Sequence, residues 1–551
     1  MKRKNIVFKA LTCGIASLAF TACTDSWESH YQPKPELNAT ETLWELIEAD
    51  PELSQFEEYV KATGYEEVLK QNRFYTIWAP VDGSEYYTTH PLEGVSDSMI
   101  NVYKMEFVEN HIADYNHTAS GVMSEKNKVK MLNGKYNAFY GTTGDYIFKN
   151  ARIDEVNIAA KNGLLHKTVT NAVFTPSVWE QLAKEPLLTS LNGYLKSFDE
   201  KRFDEYSSVQ GPTVDGKVTY LDSVFYEHND WYYRIGTLNR EDSSYIMFAP
   251  TDKAWAEAYE KVKNYFVYDQ QVADRDSLQD EMAKDYMCIN LAFSKTIQKS
   301  PEDSLTVFSR SNMGNGSFRY KKEVFKGEEY ERLFSNPVDT KELSNGTLYI
   351  VDSFNYGNYW HDTIRVQGES LYGEAEGITE DSNKEYLNAF KSYGFINKDS
   401  VDRYYQTSNG IFGVYKESLS NNNPRLRFNI SNVLSAKYRI KAVFIPSNWY
   451  NERDTTFLPC KIKATLAYRG LDGKKKTASF GNYEINTRVV DTITFVLKKE
   501  EIFEFPANEL GLDASQITTQ LTIEGAVGPR EKGFDRTLRI EQVFLEPVTE
   551  E

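Results

Sequence analysis

Apolar residues are spaced differently in different parts of the chain. Between residues 42 and 65 they fall mostly at helical spacings, and Asp50-Pro51 separates one short helix from the next. Beyond Trp360, apolar and polar residues alternate, which is typical of strands with one buried face. The alternation is seen in Tyr438-Ile440-Ala442-Phe444, Ile493-Phe495-Leu497, Leu521-Ile523 and Leu538-Ile540. The pattern predicts helices near the start of the first domain and an antiparallel sheet region at the end of the chain.

Two local signals refine the C-terminal region. Leu471-Asp472-Gly473-Lys474 predicts a hairpin turn between two strands, and residues 383–393 are predicted to form a helix. We expect residues 360–551 to form an antiparallel β-sandwich or jelly roll. The region resembles the galactose-binding-type sandwiches of many gut Bacteroidetes lipoproteins. Whether it binds calcium is left open.

An internal repeat gives the clearest sign of organisation. The segment FYTIWAPVD at 74–82 is echoed by YIMFAPTD at 245–252, and NGLLHKTV at 162–169 is echoed by NGTLYIVD at 345–352. In each first element a short apolar strand stops at a proline, and Thr251 is placed to cap a following helix. Each Asn-Gly pair favours a tight turn before a closing strand. The common order predicts a tandem duplication.

These two elements resemble the hallmarks of the fasciclin domain family. The resemblance covers residues 39–178 and 179–359 and implies two tandem α+β domains, each a β-sandwich wedge with packed helices. The first copy keeps Ala79, Pro80 and Asp82 but continues through Gly83 and Pro91, so we expect its helix to be shortened. Residues 202–240 are predicted to be an insertion in the second copy.

The N-terminus predicts export and lipidation. Lys2, Arg3 and Lys4 precede an apolar stretch, and residues 1–22 have the form of a signal peptide. The ending Phe-Thr-Ala-Cys resembles the lipobox of bacterial lipoproteins, which implies that Cys23 is the lipidated first mature residue. Residues 23–38 are expected to form a tether, and the acids after Cys23 resemble surface-export signals of Bacteroidetes lipoproteins. The predicted location is the outer membrane, facing the exterior.

Charge and cysteine content exclude several classes of partner and fold. The formal charge of −17 disfavours nucleic acids and anionic headgroups, so we expect attachment to a membrane through the lipid alone. Cys288 and Cys460 lie in separate predicted domains, which argues against a disulfide framework. Motifs of hydrolases, phosphate-binding loops, zinc sites and calcium loops are absent from the sequence, so we predict no enzyme and no cofactor and assign no metal-binding residues.

His111 is a candidate contact residue by resemblance. It lies in Glu109-Asn110-His111-Ile112, where fasciclin domains often carry a Tyr-His pair associated with cell adhesion. Asn110 replaces the tyrosine, so the motif is half present. The alternative is that His111 is structural and fixes a turn near a sheet edge.

Aromatic residues make up 14% of the chain and could bind a ligand. Trp231, Tyr232 and Trp449 follow polar, turn-forming runs, so we expect them to be exposed where flat rings could stack on sugars. The alternative is that they fill the core. Separately, Asp-Ser and Asp-Thr triplets such as Asp97-Ser98-Met99 resemble acceptors for Bacteroidetes O-glycosylation, although the same dipeptides also favour turns.

Three functions remain open at this stage. The first is a surface lipoprotein that binds glycan or serves as an accessory scaffold beside a TonB-dependent nutrient transporter. The second is an adhesin that binds host matrix or neighbouring cells through its fasciclin-like domains. The third, an unrecognised hydrolase, is disfavoured because the nucleophile and metal motifs are missing.

Overall fold

The computed structural model places two compact units along the chain, one ending at Pro176 and one beginning at Ser177. The predicted boundaries at 178/179 and 359/360 stay predictions. The described residues are 39–214, 216–289, 291–294, 304–310, 320–326, 334–335, 337–353, 363–368, 389–395, 411–417, 423–446, 458–486 and 488–548.

The first unit begins with helices and continues as a sheet. Its helices are α1 (Leu43–Ala49), α2 (Ser54–Ala62), α3 (Glu66–Leu69), α4 (Glu85–Thr89) and α5 (Asp97–Tyr103), followed by a π turn at Lys104–Val108 and a 3₁₀ turn at Glu109–His111. Its strands are β1 (Tyr75–Pro80), β2 (Ile112–Asp114), β3 (Lys128–Lys130), β4 (Tyr136–Thr142), β5 (Asp145–Phe148), β6 (Ala151–Ala160) and β7 (Gly163–Thr168). They form one sheet in the order β2-β1-β7-β6-β5-β4-β3.

Strand β1 is buried on both faces, which explains its continuous apolar sequence. Ile77 and Ala79 pack with the helices, whereas Trp78 packs into a second core with Phe139 and Phe148. The expected shortening of the helix after Pro80 is confirmed, because α4 has five residues.

The second unit starts with a comparable set of elements. Its helices are α6 (Val178–Lys184), α7 (Thr189–Lys196), α8 (Trp231–Arg234), α9 (Asp252–Val262) and α10 (Arg275–Cys288), with a 3₁₀ turn at Lys263–Phe266. Its first strands are β8 (Asp199–Val214), β9 (Lys217–Asn229), β10 (Tyr245–Pro250), β11 (Ala292–Ser294), β12 (Ser304–Arg310), β13 (Tyr320–Lys326), β14 (Asp339–Leu343) and β15 (Gly346–Val351). Thr251 caps α9 as expected, since its side chain accepts the N–H of Ala254 at 3.2 Å.

The same parallel strand pairing occurs in both units. Strand β1 runs parallel to β7 with Tyr75 opposite Gly163, and β10 runs parallel to β15 with Tyr245 opposite Gly346. A Cβ on Gly163 would lie 2.0 Å from the Tyr75 carbonyl oxygen, and one on Gly346 would lie 2.1 Å from that of Tyr245. Glycine is therefore required at both positions, because any side chain would push the paired strands apart.

A buried asparagine precedes each of these glycines. The Asn162 side chain accepts the N–H of Leu43 at 2.8 Å and donates to the carbonyls of Leu69 and Gln71 at 2.7 and 2.8 Å. The Asn345 side chain accepts the N–H of Val178 and donates to the carbonyls of Leu238 and Arg240, at 2.8 to 2.9 Å. In both units the amide thus joins the first helix, the closing strand, and the loop before the strand that pairs parallel with the closing strand.

The C-terminal strands form two β-sandwich-like sheets. Their members are β16 (Ile364–Gln367), β17 (Ala389–Phe395), β18 (Ile411–Glu417), β19 (Arg425–Asn429), β20 (Lys437–Phe444), β21 (Cys460–Arg469), β22 (Lys475–Ile485), β23 (Asp491–Thr494), β24 (Ile502–Glu504), β25 (Gln520–Gly525) and β26 (Leu538–Pro547), with a 3₁₀ turn at Ala514–Gln516. One sheet contains β17-β18-β26-β20-β23 with β16 and β24 attached, and the other is β19-β25-β21-β22.

The alternation at Tyr438-Ile440-Ala442-Phe444 is confirmed, because these four side chains are buried. The hairpin turn is confirmed between β21 and β22, where Gly473 has φ +72° and donates its N–H to Gly470. The predicted helix is wrong over residues 389–393, which belong to β17 and pair antiparallel with β18. Pairing with β18 determines the structure of this short segment, and the apolar spacing of its sequence does not reveal that pairing.

Within the second unit, the two sheets share one hydrophobic core with the helices that precede them. Buried Asp269 forms an ion pair with buried Arg469, whose guanidinium also donates to the Gln516 carbonyl at 2.7 Å. The Tyr268 hydroxyl donates to the Leu510 carbonyl at 2.7 Å. Because these contacts are buried, separating the C-terminal sheets from the helices before them would expose paired polar groups as well as apolar surface.

In the part of the chain that the structure describes, no helix has the length and apolar character needed to span a membrane.

We expect Asn162→Ala to destabilise the first unit by about 2–4 kcal/mol, because three hydrogen bonds are lost and buried backbone groups lose their partner. Asn116→Ala is the control, since Asn116 is exposed. The measurement is urea unfolding of the mature protein. Equal unfolding midpoints for the two variants would show that the buried amide does not hold this unit together.

Candidate ligand-binding surface

A long β-hairpin at residues 199–229, which we call the arm, falls mostly within the predicted insertion. Its strands β8 and β9 form a sheet of their own, with Phe203 opposite Phe225. The pairing is interrupted between Asp204 and Val209, where the Tyr206 N–H bonds to the Asp204 carboxylate at 3.1 Å. This irregularity leaves the Tyr206 side chain fully exposed (100%).

Asn229 turns the chain inward where the arm returns to the body of the unit. Its buried side-chain amide donates to the Leu195 carbonyl at 2.8 Å and to the Asp199 carboxylate at 2.7 Å, and its side-chain oxygen accepts the N–H of Trp231 at 2.8 Å. Helix α8 therefore starts with Trp231 directed into the core.

The expectation that Trp231 is exposed is wrong, because its side chain is completely buried. The Arg234 guanidinium lies 4.0 Å from the centre of the indole ring, and Arg234 also forms an ion pair with Asp285 at 2.7 Å. Asp285 in turn accepts the Tyr194 hydroxyl at 2.5 Å. Trp231 is thus held in a packed polar and aromatic network and cannot act as an open stacking platform.

Tyr232 is only partly exposed, and its ring packs edge-on against Trp179 with centroids 5.0 Å apart. Burial raises the pKa of its phenol well above the ordinary value of 10.0. Two further candidates, Cys23 and Trp449, lie outside the described residues.

Two exposed tyrosines lie beside a His-Asp pair at the base of the arm. We call Tyr226, His228, Asp230 and Tyr233 the foot cluster. The His228 ring centroid lies 6.5 Å from that of Tyr226 and 5.6 Å from that of Tyr233, and its Nε2 lies 2.9 Å from the Asp230 carboxylate. Both tyrosines are 47% exposed, whereas His228 is buried. The cluster offers two half-exposed tyrosine rings and the exposed carboxylate of Asp230, which the buried imidazole contacts.

The signal for the foot cluster was present in the sequence but was missed. Tyr226 and His228 are two residues apart on β9, so they share one face of the strand. Tyr233 is the last ring of the same aromatic run as Trp231, and it is the one that the short helix turns toward solvent. The exposed ring of this run is therefore Tyr233 and not Trp231.

The opposite face of the arm is more apolar. Phe203 and Phe225 form a cross-strand pair with ring centroids 5.6 Å apart, and Tyr220 lies 4.6 Å from Phe203. Both phenylalanines are exposed. Seven acidic and three basic residues occur between 199 and 229, so the arm carries net negative charge.

His111 lies inside the first unit and is completely buried. Its Nδ1 lies 2.7 Å from the Phe107 carbonyl, and its Nε2 accepts the N–H of Ala172 at 2.8 Å. Both ring nitrogens are therefore engaged by backbone, and burial lowers the pKa of the imidazole to about 4. In this arrangement His111 fixes a turn, and its ring is not accessible to a partner. The prediction that His111 makes an adhesive contact is therefore contradicted.

Among the residues that the structure describes, no group of three or more His, Cys, Asp or Glu side chains is arranged to hold a metal ion.

Comparison with known families identifies a fasciclin domain at residues 51–171. Among solved structures, the chain is similar to a FAS1 domain pair from the insect cell adhesion molecule fasciclin I, with 14% identity, a TM-score of 0.20, and coverage of 55% of this chain and 95% of that one. It is also similar to an insecticidal delta-endotoxin from Bacillus thuringiensis (17% identity, TM-score 0.13, 23% and 19% coverage).

A third similarity is to a structure of carbohydrate-binding modules from the β-sandwich superfamily (9% identity, TM-score 0.15, 45% and 93% coverage). No curated protein sequence matches the chain.

We expect the first unit to lose stability as the pH falls from about 6.5 to about 4. His111 and His166 are buried, and burial lowers the pKa of each to about 4 from 6.5. The unfolded chain takes up these protons at a higher pH than the folded chain, so acid favours unfolding by up to about 3 kcal/mol per histidine. NMR titration of the imidazole resonances measures this directly. Midpoints near 6.5 for both rings would contradict it.

Proposed function

We propose that this protein is a cell-surface lipoprotein that binds neutral glycans at the foot cluster, as a ligand-capturing or accessory component beside an outer-membrane nutrient transporter. The single observation that carries the glycan assignment is the pair of half-exposed tyrosines, Tyr226 and Tyr233, whose ring centroids lie 6.5 and 5.6 Å from that of His228 beside Asp230. The proposal is of binding without turnover.

The chemistry of the foot cluster suits a sugar ring. A pyranose presents apolar C–H faces bordered by hydroxyl groups, so its binding site needs flat rings beside hydrogen-bonding groups. Tyr226 and Tyr233 provide the rings, and Asp230, whose side chain is largely exposed, provides an acceptor. The acidic surroundings favour a neutral glycan over a sulfated or carboxylated one, because like charges repel.

We also propose that residues 177–353 are a second fasciclin-like module. Support comes from the shared parallel register and the equivalent asparagine amides described above. A further shared feature is an aspartate that caps a helix: Asp82 accepts the Gln55 N–H at 2.8 Å at the start of α2, and Asp252 accepts the Ser190 N–H at 2.6 Å at the start of α7. The C-terminal sheets are proposed to be an antiparallel β-sandwich, because their buried faces contribute to one core.

The second candidate function is adhesion to host matrix or to neighbouring cells. The fasciclin domain at residues 51–171 favours it, since the insect protein that resembles this chain is a cell adhesion molecule. The exposed Phe203–Phe225 pair also favours it, because an apolar pair of this kind suits a protein partner. Because His111 is buried, the half-matched adhesion motif does not support the adhesion hypothesis.

We expect Tyr226→Ala and Tyr233→Ala each to weaken retention on immobilised neutral polysaccharides about tenfold, because each removes one stacking face. Tyr206→Ala is the matched control, since this arm tyrosine is exposed but lies outside the foot cluster. None of the three changes should alter thermal stability appreciably. Trp231→Ala, by contrast, should destabilise the second unit by about 3–5 kcal/mol.

The competing functions predict different results in this experiment. Unchanged retention of a Tyr226→Ala/Tyr233→Ala double variant would refute glycan binding at the foot cluster. Binding to a panel of matrix proteins, with no binding to any polysaccharide, would support adhesion instead.

We expect Cys23→Ser to release the protein from the membrane fraction, because the proposed acyl chains would be its means of attachment. Fractionation of cells that express each form measures this. External protease should remove the wild-type protein from intact cells. If the Cys23→Ser protein stays in the membrane fraction to the same extent as wild type, lipid anchoring at this residue is wrong.

A further inference from the structure

Tyr115 has an unusual backbone conformation for a bulky residue. Its φ is +68°, in the left-handed region that favours glycine and asparagine. Its side chain is 76% exposed. A strained backbone is ordinarily compensated by packing of the side chain, but an exposed ring recovers little of that energy.

The surrounding structure holds Tyr115 in this conformation. Thr76, a fully buried residue of β1, donates its hydroxyl hydrogen to the Tyr115 carbonyl at 2.7 Å and accepts the N–H of His117 at 2.8 Å. The Tyr115 N–H donates to the Phe74 carbonyl at 2.9 Å. A buried side chain and two neighbouring strands therefore maintain a turn whose effect is to present the tyrosine ring to solvent.

Strands β1 and β2 are antiparallel, and Tyr75 is paired with Asp114. Phe74, which precedes Tyr75, therefore lies opposite Tyr115, which follows Asp114. Its side chain is 49% exposed. Two charged residues flank this pair, and they neutralise each other, since Arg73 and Asp114 form an ion pair at 2.6 Å. Asn116, also exposed, adds an amide at the same edge. The patch thus combines two exposed aromatic rings with polar groups, and its flanking charges are paired with each other.

We propose that Phe74 and Tyr115 form a second aromatic platform, on the fasciclin domain, that binds a neutral polysaccharide chain. The turn itself does not require a tyrosine, because glycine or asparagine would adopt this conformation with less strain. A role of the exposed ring in ligand binding explains why a tyrosine occurs here. The internal pairing of Arg73 with Asp114 favours an uncharged ligand, and the polar rim can exchange hydrogen bonds with sugar hydroxyls. This platform lies in the first unit, so it stands independently of the foot cluster.

Tyr115→Gly separates binding from stability. Glycine adopts the left-handed conformation without strain, so this change should raise the melting temperature of the mature protein by about 2–4 °C. Removal of the ring should weaken retention on immobilised β-glucan, galactomannan or arabinoxylan about tenfold. Tyr136→Ala is the matched control, because Tyr136 is an exposed tyrosine in the same unit with an ordinary backbone conformation.

The same change is also made in the Tyr226→Ala/Tyr233→Ala double variant, so that failure of this platform can be distinguished from failure of the foot cluster. Retention that survives in the double variant and is lost on adding Tyr115→Gly would support the platform. The platform is overturned if Tyr115→Gly leaves retention unchanged in both backgrounds, if no polysaccharide retains the wild-type protein, or if the glycine variant melts at a lower temperature.

Discussion

The buried asparagine amide before each closing strand is the interaction on which the two α/β regions depend. In the first unit, Asn162 joins the start of α1 to the end of α3 and the loop after it, and the adjacent Gly163 allows β7 to lie against β1. The position of β1 then fixes Thr76, and through it the exposed turn at Tyr115. Asn345 and Gly346 act in the same way for β15 and β10. One polar side chain per unit therefore sets the register from which the surface features follow.

Asn229 plays a comparable part for the arm. Its amide fastens β9 to α7 and to the start of β8, and its side-chain oxygen begins the helix that carries Trp231 inward and Tyr233 outward. The helix that carries Tyr233 is anchored at the same time, since Trp231 and Arg234 of that helix belong to a packed network with Asp285. An anchored helix reduces the entropy that is lost when a ligand orders the exposed ring.

Local sequence rules predicted the elements whose structure is decided locally. The proline-terminated strands, the Thr251 cap, the shortened helix after Pro80 and the turn at Gly473 all depend on neighbours in the chain. The helix predicted over residues 389–393 failed because pairing with β18, a distant segment, decides that structure. Exposure of Trp231 failed for a similar reason. The polar run before it looked like an exit from a strand, but contacts of Asn229 with Leu195 and Asp199 turn the chain inward.

The central claim, that neutral glycans bind at the foot of the arm, is tested most directly by hydroxyl-radical footprinting of the mature protein with and without galactomannan or β-glucan. Tyrosine rings covered by a sugar should be oxidised more slowly than in the free protein. We expect protection of Tyr226 and Tyr233, with no protection of Tyr206 on the same arm. Equal oxidation of Tyr226 and Tyr233 with and without polysaccharide would contradict it.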